Sequence, residues 1–305
     1  MNIDKDFRVH ESETHSMTVV SARPASNLNV VEGPSFAGIR SVEGRIERSL
    51  TLADDVLTSL ETVAAGRSAS LGQTPAEVRP EVTVIIPVYN EQKTVSEVIN
   101  RVLALPISLE VIVVDDGSSD GTRDVLALYA KNPRVRTLLH EVNQGKGAAL
   151  RTGIAQAQGD YVVIQDADLE YDPSNILAVL KPLQAGLTEA AYGSRYLMQT
   201  KQDRSFVHRL GNWGLTTFSN LLARQSLTDM ETCYKAFRRN VLSKISIEQC
   251  RFGFEPEITA KLAKNRIPIA EVPIRYQPRN WDEGKKIGVL DLINTLWCIV
   301  WYRCR

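Results

Sequence analysis

The chain has 305 residues, 43% of them apolar, with Lys plus Arg and Asp plus Glu balanced at 36 each. That length holds one large domain or two small ones, and the balanced charge argues against a nucleic-acid partner. No uninterrupted apolar run reaches the roughly 18 residues that a bilayer-spanning helix needs. Cys233, Cys250, Cys298 and Cys304 form no C-x-x-C pair, and no apolar signal segment opens the chain. Unpaired thiols in a reducing cytoplasm are expected. The four histidines, His10, His15, His140 and His208, show no metal-ligand spacing.

Residues 1–37 are polar and aperiodic, with Pro24 and Pro34, and read as disordered. Over 38–65, Ile39, Val42, Ile46, Leu50, Ala53, Leu57, Leu60 and Ala64 fall three or four apart, with charged residues between them. This spacing predicts an amphipathic helix that could pair with a second copy, dock on the main domain or lie on a membrane. Gly66 ends it, and 66–80 reads as a linker, closing an N-terminal extension of 1–80.

From Val82 strands and helices alternate. Strands are expected at 82–86, 110–114, 135–139, 161–164 and 190–193, and helices at 92–104, 121–131, 145–157 and 174–184. The pattern predicts an α/β domain over 81–286, a mainly parallel sheet with helices on both faces. Ligands then bind beyond the carboxyl ends of the strands. The polar loops sit there: Pro87-Val88-Tyr89-Asn90-Glu91, Asp115-Asp116-Gly117-Ser118, Asn143-Gln144-Gly145-Lys146-Gly147 and Asp166-Ala167-Asp168. Taken singly, each has a plain reading as a cap, turn or helix start. Together they outline a cleft.

Tyr161-Val162-Val163-Ile164 runs straight into Asp166 and Asp168. Residues two apart in an extended chain point the same way, so both carboxylates can face one point. A hard divalent cation, Mg²⁺ or Mn²⁺, wants such ligands and leaves room for phosphate oxygens. The alternative is a solvated turn. Further on lie a basic stretch with Lys201, Arg204, His208 and Arg209, a helix at 211–223, a helix from Gly253 to Lys264 and a strand from Ile269 to Tyr276. The end, 287–305, carries Trp297, Trp301, Tyr302, Arg303 and Arg305. It reads as an amphipathic helix, set either at a membrane interface or against the domain.

These motifs, in this order over 80–305, resemble family 2 glycosyltransferases of the GT-A (Rossmann-like) fold. The similar branch is the polyprenyl-phosphate (dolichol-phosphate) hexosyltransferases, and residues 1–80 match nothing in it. The resemblance implies an inverting, metal-dependent transfer of hexose from a UDP- or GDP-sugar to a polyprenyl phosphate, at the inner face of the membrane. It implies that Pro87, Tyr89 and Glu91 line the base and ribose pocket. Asp116 would take the base, with Val114 behind it and Asp115 in support. Lys146, Gln165 and Ala167 would shape the nucleotide-sugar site, and Asp166 and Asp168 would bind the metal. Arg195 would meet phosphate, and Arg279 with Lys285 or Lys286 would clamp the diphosphate or the acceptor phosphate. Asp229 and Lys235 occupy positions near the acceptor. Asp229 is a general base if the acceptor is an alcohol, and an orienting group if it is a phosphate. The rivals are transfer to a glycan or small-molecule hydroxyl and, outside catalysis, a nucleotide-sugar binding module. A binding module would be expected to lack the carboxylates or the Asp229 segment, and both are here.

Overall fold

The computed structural model describes residues 79–197, 206–278 and 289–305; the helix expected over 38–65, and Arg279, Lys285 and Lys286, lie outside them. Among the described residues seven strands form one sheet in the order β3-β2-β1-β4-β6-β5-β7. They are β1 (Val82–Val88), β2 (Leu109–Asp115), β3 (Val135–Leu139), β4 (Tyr161–Ile164), β5 (Ala190–Ser194), β6 (Lys235–Arg238) and β7 (Ile269–Pro273). The helices are α1 (Val95–Leu103), α2 (Thr122–Ala127), α3 (Lys146–Gln156), α4 (Asn175–Gln184), α5 (Phe206–Ala223), α6 (Arg239–Leu242), α7 (Phe254–Lys264) and α8 (Val289–Cys304).

The central strands are buried on both faces, which is why they read as apolar runs without alternation. Val84 and Ile86 of β1 pack with α1 and α4 on one side, through Val98, Ile99, Val179 and Leu183. Ile85, between them, faces Leu150 of α3 and the α7 residues Phe254 and Ile258 on the other. The right-handed crossovers of such parallel pairs put helices on both faces.

Strand β6 was not expected. It runs antiparallel between β4 and β5, while β1/β2, β1/β4, β2/β3 and β5/β7 are parallel. Its reversal has a consequence for the site. The segment entering β6, residues 228–234, approaches the same sheet edge that β4 and β5 leave. Strand β7 ends at Pro273 rather than Tyr276, and α2 ends at Ala127 rather than 131. Helix α5 begins at Phe206, so part of the basic stretch is helical. Helix α8 is packed against the fold through Cys298, Ile299 and Tyr302, each at most 4% exposed. Tyr302 therefore points inward, not to a membrane interface. Arg303 Nε donates to the Leu222 carbonyl at 2.8 Å. Among the described residues no helix is long and apolar enough to cross a membrane.

Candidate functional site

The loops after β1 and β2 are tied to each other by hydrogen bonds. The Asn90 amide donates to Ser118 Oγ, and the Ser119 amide donates to Asn90 Oδ1. The Glu91 amide donates to Thr122 Oγ1, and the Gln92 amide to Asp120 Oδ2. Burial opposes charge on Asp120, but the bonds from Thr122 and Gln92 outweigh it and hold its carboxyl below the ordinary range. Pro87, Tyr89 and Glu91 lie half-buried at this rim. Val114 is fully buried against Ile112 and Ala149, as backing to the loop.

Asp116 is saturated: Oδ1 meets His140 Nδ1 at 2.7 Å and the Gln144 amide at 2.9 Å, and Oδ2 takes the Gly145 amide at 2.7 Å. It holds the loop that opens α3. Asp115 Oδ1 is bound by Arg123 Nε at 2.7 Å, but its buried Oδ2 has no partner. A buried acceptor left without a donor costs about 1–3 kcal/mol, so it marks a place where a donor is wanted.

The Gly145-Lys146-Gly147 turn presses against the backbone of 249–250. A Cβ on Gly145 would sit 2.4 Å from the Cys250 carbonyl oxygen, and one on Gly147 2.3 Å from that of Gln249. Glycine is needed here for close approach, and at Gly145 also for a φ of +99°. The turn delivers Lys146, whose Nζ lies 2.9 Å from Asp166 Oδ1 and 3.4 Å from Glu255 Oε1. Burial works against the ammonium, and Asp166, Cys233 and Glu255 overcome it, so its pKa is raised. Asp168 Oδ1 accepts the Glu170 amide at 3.1 Å. Ala167 is buried between the two carboxylates. Gln165 is buried too; it donates to the Asp166 and Tyr171 carbonyls and accepts from the Tyr234 hydroxyl, bracing the acidic loop from below.

At the next strand end, Arg195 and Asp229 form a buried two-point ion pair, Nε to Oδ2 and Nη2 to Oδ1, both 2.6 Å. The guanidinium also lies over Tyr276, 5.4 Å from the ring centroid. Burial again opposes the charge, and Asp229 more than compensates, holding the Arg195 proton more tightly than usual. Both oxygens of Asp229 are thus committed to a cation. Lys235 is fully buried and engaged: its Nζ donates to the Met230 and Thr232 carbonyls and sits 4.1 Å from the Tyr192 ring centroid. Its geometry is that of a brace for the 230–232 turn rather than of a catalytic group.

Asp115 ends β2, Asp166 and Asp168 follow β4, Arg195 follows β5, Lys146 opens α3 and Asp229 leads into β6, all at one end of the sheet. The model of glycosyl transferase family 2 matches residues 83–246, more than half of the chain. The chain belongs to this family.

A polyprenol monophosphomannose synthase of Mycolicibacterium smegmatis is 31% identical over 239 residues, 74% of this glycosyltransferase and 89% of the relative. An undecaprenyl-phosphate 4-deoxy-4-formamido-L-arabinose transferase of Edwardsiella ictaluri is 30% identical over 228 residues, 72% of this chain. The match spans 66% of that relative, just under two thirds of its length. Glucosyl-3-phosphoglycerate synthase from Mycobacterium tuberculosis, seen with Mn²⁺, UDP and phosphoglyceric acid, superposes with a TM-score of 0.58 at 20% identity. It covers 73% of this chain and 78% of its own, and shares the fold.

Three carboxylates in this family 2 glycosyltransferase were missed by sequence reasoning. Glu255, next to Lys146, is buried with Oε2 unpartnered. Glu257 accepts the amides of Glu248 and Gln249, fixing the carbonyls that cradle the glycine turn. Glu271 of β7 accepts the amides of Thr228 and Asp229. The only advance signal was an acidic pair in the first turn of α7, which reads equally as a favourable charge at a helix N-terminus.

Proposed function

We propose that this glycosyltransferase moves a hexose from a nucleotide diphosphate sugar to a polyprenyl phosphate, with inversion, at a membrane surface. The observation that carries the reading is the Arg195–Asp229 pair. A hydroxyl acceptor needs a base with an available oxygen, and Asp229 has both of its oxygens on a guanidinium. A phosphate acceptor is already ionised and needs a fixed cation to orient it. Asp229 is then the orienting group, and Nη1, the third nitrogen of Arg195, is the donor assigned to phosphate. The match to a polyprenol monophosphomannose synthase supports the same acceptor class.

For the donor, we assign Asp115 Oδ2 to a ring N–H of the base, with Tyr89 and Pro87 at its edge and Glu91 toward the ribose. Asp116 acts one step back by holding the loop that positions Lys146. Arg279 and Lys285 or Lys286 keep their proposed place as a phosphate clamp.

The residues at the end of β4 fit a divalent cation of the Mg²⁺ or Mn²⁺ kind. Among the described residues no cluster of three or more His, Cys, Asp or Glu could enclose a metal alone. Two carboxylates with the rest of the shell supplied by phosphate oxygens and water is how Mg²⁺ is usually held beside nucleotides. When bound, such a cation neutralises the charge that builds on the leaving diphosphate. Lys146, against Asp166, adds a second positive charge on the same side.

The membrane part of the reading draws on helices that are apolar outward. Helix α8 turns Leu292, Ile293, Leu296, Trp297, Val300 and Trp301 to the outside, each 39–57% exposed. Helix α5 exposes Leu210, Trp213 and Leu221 while burying Asn212, Thr216 and Ser219. Faces of this kind mark an interaction surface, and paired Trp residues suit the headgroup boundary.

A second reading, transfer to the hydroxyl of a glycan or small molecule, is favoured by Glu255, the buried carboxylate with an unpartnered oxygen beside Lys146. One experiment separates them. The protein is incubated with a panel of labelled nucleotide sugars, polyprenyl phosphate and Mn²⁺, and the label is partitioned. Label entering the organic phase only when the lipid is present supports the proposal. Label confined to water-soluble product with every donor overturns it.

A further inference from the structure

The Arg195–Asp229 pair is held by a carboxylate that touches neither side chain. Glu271 sits on the edge strand β7, in register with Tyr192 of β5. Its Oε2 accepts the Thr228 amide at 2.7 Å and its Oε1 the Asp229 amide at 3.0 Å. Two consecutive amides converging on one carboxylate fix the orientation of the peptide between them, and so the direction in which the Asp229 side chain leaves the backbone. That side chain accepts Arg195 Nε and Nη2, and its Oδ2 also takes the Arg195 amide at 3.1 Å. The neighbouring Thr228 hydroxyl reaches Ser194 Oγ at 2.6 Å, and Ser194 Oγ takes the Tyr196 amide. The loop carrying Arg195 is thus referred, residue by residue, to the 228–229 segment, and that segment is referred to Glu271.

We propose that Glu271 is a positioning residue for the transfer reaction: through the Thr228 and Asp229 amides it sets the place of the Arg195 guanidinium. This rests on the reading of Arg195 as the phosphate contact. Three features support more than general packing. Both oxygens are used, on amides in adjacent residues, which a neutral side chain cannot do: a glutamine has one carbonyl oxygen and would turn an NH₂ toward the second amide. Hydrogen bonds with an ionised acceptor are roughly twice as strong as neutral ones. The sequence separation of more than forty residues, 42 for Asp229 and 43 for Thr228, makes Glu271 a long-range tie between the edge strand and the site. A guanidinium displaced by a fraction of an ångström loses most in the transition state, where its alignment to phosphate matters most.

The test is a double-mutant cycle on kcat with Glu271→Gln and Arg195→Lys, using whichever acceptor the wild type accepts. Glu271→Gln should lower kcat at least tenfold while the affinity for free nucleotide, by calorimetry, stays within twofold. Arg195→Lys should lower kcat by a similar factor or more. In the double variant, Glu271→Gln should add less than a further twofold loss, because the geometry it protects has gone. If the two losses multiply, Glu271 acts independently of Arg195 and the proposal is overturned. If Arg195→Lys itself leaves kcat unchanged, the reading of Arg195 fails, and that outcome is distinguishable from the first. Glu271→Asp, which keeps the charge but draws both oxygens back from the Thr228 and Asp229 amides by one methylene, is run in the same cycle. Should the glutamine variant not fold, the aspartate variant supplies the measurement, with the same non-multiplicative result required.

Discussion

Asp229 meets Arg195 edge to edge, with Nε and Nη2 each 2.6 Å from a separate carboxylate oxygen and the carboxylate fully buried. A free general base and a committed counter-ion behave differently on mutation. Removing one member of a buried pair leaves the other charge uncompensated and costs about 3–5 kcal/mol. Asp229→Ala should therefore lower stability by about that amount in urea denaturation, together with loss of activity. A variant that keeps wild-type stability and loses only turnover would mark Asp229 as a base, and the acceptor assignment would fall with it.

Asp115 and Asp116 should separate in their effects. Asp115→Asn presents an NH₂ or a carbonyl where the base needs an anionic acceptor. Loss of one charge-assisted bond is worth about 1.5–3 kcal/mol, so affinity for the free nucleotide should fall on the order of tenfold to a hundredfold. Asp116→Asn instead loosens the amides of Gln144 and Gly145, which should exchange hydrogen faster in the ligand-free protein. Calorimetry and amide exchange read the two. Equal nucleotide affinity in Asp115→Asn and wild type would remove Asp115 from the base pocket.

How far this was visible beforehand depends on which forces placed each residue. Strand β4 and its two aspartates were legible because a doubly buried strand must be a continuous apolar run, and Tyr161–Ile164 is one. Strand β6 was not: Lys-Ala-Phe-Arg has no strand signature, and Lys235 is buried only because its ammonium finds the Met230 and Thr232 carbonyls. The family resemblance points to Asp116 for the base, and only the fold reveals that His140 and the 144–145 amides engage both of its oxygens. Glu257 and Glu271 are tertiary by nature. Each serves backbone amides eight or more residues away, and nothing local distinguishes them from solvated glutamates.

Metal binding should depend on the nucleotide. Asp166 and Asp168 offer too few ligands to hold Mn²⁺ tightly alone, while a diphosphate completes the shell. Free Mn²⁺, followed by electron paramagnetic resonance, should fall sharply when nucleotide diphosphate is added to protein and metal. Asp168→Asn should abolish that fall and the transfer activity, with little change in melting temperature. Wild-type activity persisting in excess chelator would sink the metal role.

Stability should carry a pH signature from Glu231. Burial first, then the charge of Glu255, pushes its carboxyl from 4.5 up to about 8. A folded pKa above the unfolded one means the folded state binds the extra proton between those limits. Stability then falls as pH rises through that window. Lys235, lowered by burial to about 8, begins to act in the opposite sense as pH approaches 8, so the scan stops at 7. Glu231→Gln should flatten the decline between pH 5 and 7. A wild-type melting temperature that rises steadily from pH 5 to 7 would contradict the assignment.

The outward apolar faces of α5 and α8 should bind lipid, and truncation is the wrong way to ask. Removing α8 would take away the buried Cys298, Ile299 and Tyr302 and uncover the α7 face around Ala260 on which they pack, so loss of binding could reflect unfolding. Point changes on the exposed side avoid this. Trp213 and Trp297 are 64% and 47% exposed, and Trp297 stacks on Trp301 with centroids 5.1 Å apart. Entry of each indole into the headgroup boundary should be worth about 1–2 kcal/mol of buried apolar area. Trp213→Ala with Trp297→Ala should therefore weaken flotation with liposomes at least tenfold in partition coefficient, while melting temperature and transfer to a detergent-solubilised acceptor stay near wild type. Each single variant should lie between. If Trp297→Ala alone abolishes flotation and Trp213→Ala does nothing, α8 is the anchor and α5 is not part of it. If the double variant floats like wild type, these faces are not the membrane contact, and the polyprenyl phosphate reading stands on the Arg195–Asp229 pair and the relatives alone.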